Sequence, residues 1–162
     1  MIVVVLSDTH ARDLSELPAR MVDEMRGAEL IIHAGDYITM KLLDQLRGLA
    51  DFKGVHGNMD PYELKSELPA HAIIELKGFK IGITHPSEGG SPFGLKRRAK
   101  SKLGEELDVI IYGHSHKPVN ERDGSTLYFN PGSATGTFPA RHKTYGILHI
   151  EEDTVKGEIV KL

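Results

Sequence analysis

Seven side chains able to hold a metal ion fall in five short motifs: Asp8-Thr9-His10, Gly35-Asp36, Gly57-Asn58, Thr84-His85 and Gly113-His114-Ser115-His116. The candidate ligands are Asp8, His10, Asp36, Asn58, His85, His114 and His116. Divalent ions of the manganese, iron, nickel and zinc group accept mixed carboxylate, imidazole and amide donors. Without a cation among them, such clustered groups repel or stay poorly solvated. Seven donors are too many for one ion that keeps an open catalytic position, and so suggest two ions. A pair of ions roughly 3.5–4 Å apart usually needs a shared carboxylate, and it can clamp both the attacking and the leaving oxygen of a phosphoryl displacement. Asp36 is the natural bridge, because it follows the second apolar run, between the other ligand sources.

Each motif follows an apolar run: Ile2–Leu6, Leu30–Ile32, Val55 with its neighbours, Ile81–Ile83 and Val109–Tyr112. β-Branched runs of this kind, alternating with helical segments, read as buried strands of an α/β protein. In such sheets ligands collect beyond the carboxyl ends of the strands. Asp8 and His10 are two apart, as are His114 and His116, and extended backbone would point both members of each pair to one side. A helix is expected from Leu17-Pro18 to Arg26, stopped by Gly27, and a second from Thr39, its N-cap, to Gly48. Leu42, Leu43, Leu46 and Leu49 share one face of the second. A third helix is expected near Phe93 to Leu103, and a short strand around Lys53 to His56. Hairpins are expected across Lys77-Gly78, Asp123-Gly124 and Glu152-Asp153. A βαβ first half and a mostly antiparallel second half fit two mixed sheets packed face to face with helices outside.

The 162 residues are enough for one domain, 1–162, with a real core. Hydrophobic residues make up 40% and charged residues 27%, ordinary for a soluble globular protein. The apolar runs are too short for a membrane-spanning helix. Met1 leads straight into the first run with no basic segment before it, which reads as a strand rather than a signal peptide and sets the expectation of a cytoplasmic protein. With no cysteine, disulfides and thiolate zinc sites are excluded. A net charge of -3 argues against a nucleic-acid coat. A site that accepts phosphate would need its own local positive field, which metal ions would supply.

Asp-x-His, Gly-Asp, Gly-Asn-x-Asp, Thr-His and Gly-His-x-His, in this order, resemble the calcineurin-like metallophosphoesterases. His33-Ala34-Gly35-Asp36 and Asn130-Pro131-Gly132-Ser133 are similar to the small archaeal and bacterial phosphodiesterase branch. Each motif alone is weak; the ordered set, over nearly the whole chain, is specific. The resemblance implies an α/β protein with a four-layer α/β/β/α sandwich of two mixed sheets and a two-metal site. Asp8, His10, Asp36 and His116 would hold one ion; Asp36, Asn58, His85 and His114 would hold the other. Asp36, Asn58 and His85 would then stand at the catalytic centre, where a hydroxide between the ions attacks phosphorus in line. Asn58 and His56 would contact the substrate phosphate. Manganese is the first choice of ion, with nickel, zinc or iron also admitted by the donors. The implied partner is a small-molecule phosphodiester, with nucleic acid and membrane disfavoured and a homo-oligomer left open.

Three positions depart from the family pattern. Met59 follows Asn58 where larger relatives place a histidine and the small branch often a cysteine, and a thioether cannot donate a proton. General acid help is worth ~10²–10⁴-fold, so the expected preference is for phosphodiesters with good leaving groups. Pro86-Ser87 follows Thr84-His85 where relatives often show glycine and histidine, and His56 stands where relatives commonly have arginine. Since imidazoles bind metal only when neutral, activity is expected to fall below about pH 6.5, the ordinary histidine value.

The remaining motifs receive plainer readings. His71 and His149 are expected to be surface or satisfied core residues, His33 a buried partner and His142 a loop residue. The run Lys96 to Lys102 reads as the solvated face of a helix. Asn130-Pro131-Gly132-Ser133 reads as a structural turn beside the site, and Gly89-Gly90-Ser91-Pro92 as a loop flanking it. Two rival functions stand: a non-catalytic scaffold of the same fold, similar to the eukaryotic retromer subunit, and a nuclease.

Overall fold

Alternation along the first strand sets up the layering. Val3 and Val5 point to one side, Val4 and Leu6 to the other, and both sides are buried. This computed structural model describes residues 1–162 except 89, 90, 92 and 105. The strands are β1 (Ile2–Leu6), β2 (Leu30–Ala34), β3 (Phe52–Val55), β4 (His71–Leu76), β5 (Phe79–Thr84), β6 (Val109–Tyr112), β7 (Val119–Asp123), β8 (Thr126–Asn130), β9 (Thr144–Ile150) and β10 (Val155–Lys161). The helices are α1 (Ala19–Arg26), α2 (Met40–Arg47), α3 (Tyr62–Glu67) and α4 (Leu95–Leu103).

Two mixed five-stranded sheets result, in the orders β10-β9-β1-β2-β3 and β4-β5-β6-β8-β7. Val3, Val5 and Ile32 of the first meet Ile81, Ile83, Val109, Ile111 and Phe129 in the core between the sheets. Val4, Leu6 and Ile31 meet Met21, Met25, Leu42, Leu43, Leu46 and Leu64, so α1, α2 and α3 cover the outer face of the first sheet. Leu95, Ala99 and Leu103 of α4 cover Ile110, Tyr112 and Tyr128 of the second. The expected four-layer sandwich is thus present, each fully buried aliphatic side chain contributing roughly 1.5–3 kcal/mol.

Local chemistry places most elements where expected. Thr39 caps α2, accepting from the Leu42 amide at 3.2 Å. Lys77 and Gly78, with φ 48° and 84°, form the left-handed pair that a tight hairpin needs. Three features differ. α3 was not expected: it follows Pro61 and buries a single leucine, Leu64, too little for a visible period. The last two strands join the first sheet, β9 pairing with β1 and β10 with β9, and β8 runs parallel to β6. A strand's own pattern does not say which sheet it will join.

Candidate metal centre

The motifs lie just beyond β1, β2 and β3 of one sheet and β5 and β6 of the other. Their turns are not extended. φ is 49° at Asp8, 45° at His10, 62° at Asp36, 83° at His114 and 56° at His116. The expectation that extended backbone aims each i, i+2 pair to one side is therefore corrected: these residues turn left-handed. Such backbone costs L residues on the order of 1 kcal/mol each and persists only where the surroundings over-determine it.

The surroundings do so here. The Asp8 amide donates to Gly35 O at 3.0 Å and the His10 amide to Asp36 O at 3.1 Å. Ser133 Oγ donates to Asp8 O at 2.7 Å and Thr135 Oγ1 to Thr9 O at 2.6 Å. Asn130 Nδ2 donates to Ser115 Oγ at 3.2 Å. The Asn-Pro-Gly-Ser turn is thus the structural tie that was expected. Gly113 is dictated by close approach, since a Cβ there would overlap Ser7 Oγ and lie 2.8 Å from His85 Nδ1.

Asp60 is the residue that sequence reasoning missed. Its buried carboxylate accepts from the amides of Asp36 (3.0 Å), Tyr37 (2.7 Å), Ile38 (2.9 Å) and Gly57 (2.7 Å). It fastens the turn bearing Asp36 to the turn bearing Asn58. The signal was its place in Gly57-Asn58-Met59-Asp60, but a carboxylate that serves backbone amides looks in sequence like any loop aspartate.

The candidate ligands converge. One donor atom from each of Asp8, His10 and His116 falls within 4.8 Å of the others, and so does one from each of Asp8, Asp36 and His85. His116 Nε2 is 3.3 Å from Asp8 Oδ1, and His85 Nε2 is 3.3 Å from Asp36 Oδ2. His10 Nε2 lies 3.7 Å from Asp36 Oδ2 and 3.3 Å from His116 Nε2. Asn58 Oδ1 is 3.2 Å from His85 Nε2. The His114 ring stands edge-on to His85 with centroids 5.3 Å apart, and its amide donates to Asp8 Oδ2 at 3.0 Å. Asp8, Asp36, His85 and His116 are buried, whereas Asn58 faces solvent. His56 lies on the flank, lining a cavity of about 270 Å³ together with Asn58 and His85.

Against known proteins, a family model described as the calcineurin-like phosphoesterase superfamily domain matches residues 1–153. The chain belongs to that superfamily. It is 40% identical over 139 residues to a probable metallophosphoesterase of Methanocaldococcus jannaschii, spanning 83% of this chain and 69% of the relative. Among solved structures it resembles an archaeal phosphodiesterase (TM-score 0.76, 26% identity, 99% of this chain and 100% of the other). It also resembles Vps29 of Entamoeba histolytica in complex with zinc (TM-score 0.77, 26% identity, 99% of each chain).

The donor arrangement of this metallophosphoesterase fits divalent ions. His85 Nδ1 donates to Ala34 O at 2.7 Å and His116 Nδ1 to Thr137 O at 2.8 Å, which turns both Nε2 atoms onto the carboxylates. His10 Nε2 and His116 Nε2 face each other, an arrangement that a cation relieves. The electrostatics agree. Burial works against the charged form of His85, but the hydrogen bond to Asp36 and the charges of Asp8 and Asp36 outweigh it and raise its pKa to about 9. His116 is also raised, its partner Asp8 overcoming burial. Burial lowers His10. Asp8 and Asp36 are both held below the usual carboxylate value: burial opposes this, and hydrogen bonds to His116 and His85 respectively prevail. In the metal-free protein a proton on His85 thus stands where a cation would.

The other histidines and the basic run are not members of the donor cluster. His33 is fully buried: Gly35 N donates to its Nδ1 at 3.1 Å, which leaves Nε2 to donate to Thr9 Oγ1 at 3.1 Å. Lys96 pairs with Glu121 and Lys102 with Glu88 on the solvated side of α4. His71 is exposed and His149 half-buried beside Glu158, as expected for residues outside the site. His142 is an exposed loop residue. The loop reading for Gly89-Gly90-Ser91-Pro92 falls mainly on positions outside the described residues. Among the described residues no helix is long and apolar enough to cross a membrane.

Proposed function

We propose that this metallophosphoesterase is a phosphodiesterase working with two divalent ions, manganese first and nickel, zinc or iron as alternatives. Asp8, His10, Asp36 and His116 would hold one ion, and Asp36, Asn58, His85 and His114 the other. The observation that carries the reading is the aim of the His85 and His116 Nε2 atoms, each fixed by a carbonyl and each 3.3 Å from a buried carboxylate oxygen. Bound ions would supply an activated water, its pKa brought from ~15.7 to around 7, and neutralise phosphoryl charge.

The chain's own residues do the rest. Asp36 receives the Met59 amide at 2.8 Å on Oδ1, which leaves Oδ2 facing His10 and His85. Asn58 and His56 would contact the substrate phosphate. Met59, 59% exposed, stands at the rim and offers the leaving group no proton. The substrate class is therefore a small phosphodiester with a good leaving group.

Hydrolysis of bis(4-nitrophenyl) phosphate, with and without manganese and beside an alkyl monoester, tests the reading. Manganese-dependent diester cleavage that outpaces the monoester supports it; faster monoester turnover refutes the preference. The likeness to Vps29 favours a second reading, a scaffold without catalysis, which predicts no hydrolysis with any of these ions. A nuclease reading predicts cleavage of single-stranded DNA with manganese, and the ion pairs that occupy Lys96 and Lys102 lend it little support.

A further inference from the structure

The candidate centre is flanked by two cavities of different electrical character. The cavity beyond Asn58 and His85 contains Lys65 and Lys102, but Glu88 also lines it and pairs with Lys102. The cavity on the other flank, about 360 Å³, is bounded by His116, Lys117, Pro118, Arg141, His142 and Thr144, with no carboxylate in its wall. Lys117 and Arg141 are exposed, and neither has an acidic partner among the described residues. The loop bearing Arg141 and His142 is tied to the centre, because Thr137 O accepts the His116 Nδ1 proton at 2.8 Å. His116 thus lines this cavity and also presents Nε2 to Asp8.

Two exposed cations without an acidic partner beside the centre, in a protein of net charge -3, form a local positive field open to an anion. A planar guanidinium beside an ammonium matches phosphate, which accepts several hydrogen bonds at once. We propose that the cavity beside His116 is a binding site for a second phosphate group of the substrate, held by Lys117 and Arg141. The preferred substrate is then a phosphodiester that carries a further phosphate, and the cavity orients it with the scissile group at the centre. This rests on reading the carboxylate–imidazole cluster as the metal centre.

Equilibrium binding tests the site without relying on turnover. Thymidine 3′,5′-bisphosphate and thymidine 5′-monophosphate are titrated by calorimetry into the manganese-loaded protein and into Arg141→Ala and Lys117→Ala/Arg141→Ala variants. The bisphosphate should bind the unaltered protein about tenfold more tightly or better, the scale of a charge-assisted hydrogen bond. That ratio should shrink in Arg141→Ala and approach one in the double variant. Both substitutions are at exposed positions, and thermal melts check that the variants are folded. Equal affinities in the unaltered protein, or a preference that survives the double variant, overturn the site. Manganese-dependent cleavage of thymidine 5′-(4-nitrophenyl phosphate) is measured alongside. Its absence would count against the phosphodiesterase reading alone, because the binding ratio judges the cavity separately.

Discussion

Gly57 lies against Asp36 so closely that a Cβ on Gly57 would overlap Asp36 Oδ1 and sit 2.6 Å from the Asp36 amide nitrogen. The glycine of Gly57-Asn58 is therefore required less by its own turn than by a carboxylate on the neighbouring one. Gly57→Ala should push Asp36 off its position, at a cost of about 1–3 kcal/mol for the overpacking. The expected result is a lower urea midpoint together with weaker manganese binding. Unchanged metal affinity in a folded variant would show that Asp36 is free to move.

Asp60 anchors the same two turns. Asp60→Asn keeps the shape but aims an NH₂ group at backbone donors and removes the charge that they stabilise. The loss should be on the order of 3 kcal/mol of unfolding free energy. Metal affinity should fall as well, although Asp60 touches no candidate donor side chain. Stability equal to that of the unaltered protein would refute the anchoring role.

His85 should release its proton when a metal binds. Its pKa in the metal-free protein is raised to about 9 by Asp36 and Asp8. Below pH 9 a cation must displace that proton, so metal affinity should rise with pH up to about 9. Calorimetry at pH 7.5 in buffers of different ionisation enthalpy should detect the released proton, and His85→Asn should reduce it. Equal release by the variant would contradict the assignment. The same shift bears on the metal-free fold. A raised histidine pKa contributes stability that is fully present below 6.5 and lost as pH climbs through about 9.

His33 acts in the opposite direction. Burial lowers its pKa to about 3, so it stays neutral when folded and takes up a proton on unfolding. Between about pH 6.5 and 3 the unfolded chain binds the extra proton, and stability should fall with pH by up to about 1.4 kcal/mol per unit from this group. His33→Gln should flatten the acid limb of a plot of unfolding free energy against pH. An identical acid limb would mean that other groups drive acid unfolding.

Much of this arrangement was legible in the sequence. The apolar runs located the strands, because strands buried on both faces cannot be polar. The polar motifs at their ends located the donors, and the order of the motifs identified the family. The fastenings were less visible. Asp60 acts through backbone amides, and the left-handed turn at Asp8 is held by hydrogen bonds to Gly35 and Ser133, far along the chain. The pairing of β9 with β1 is also decided by packing across the whole chain. The pKa of His85 depends on two carboxylates from other strands, which spacing alone cannot weigh.

Met59 tests the leaving-group argument. On the proposed reading a histidine at this exposed rim position would act as a proton donor, so Met59→His should raise turnover of an alkyl phosphate ester by about 10²-fold, within the range for general acid catalysis. Aryl diester cleavage should change far less. A variant that speeds both equally would show that leaving-group protonation is not what the site lacks.

The most direct test of the shared-carboxylate centre counts manganese ions bound per chain at saturation, for the unaltered protein and for Asp36→Ala, with diester hydrolysis measured on the same samples. The account predicts two ions per chain in the unaltered protein, and in the variant at most one ion with hydrolysis lost. A single ion in the unaltered protein, or a variant that keeps both its ions and its activity, would contradict it.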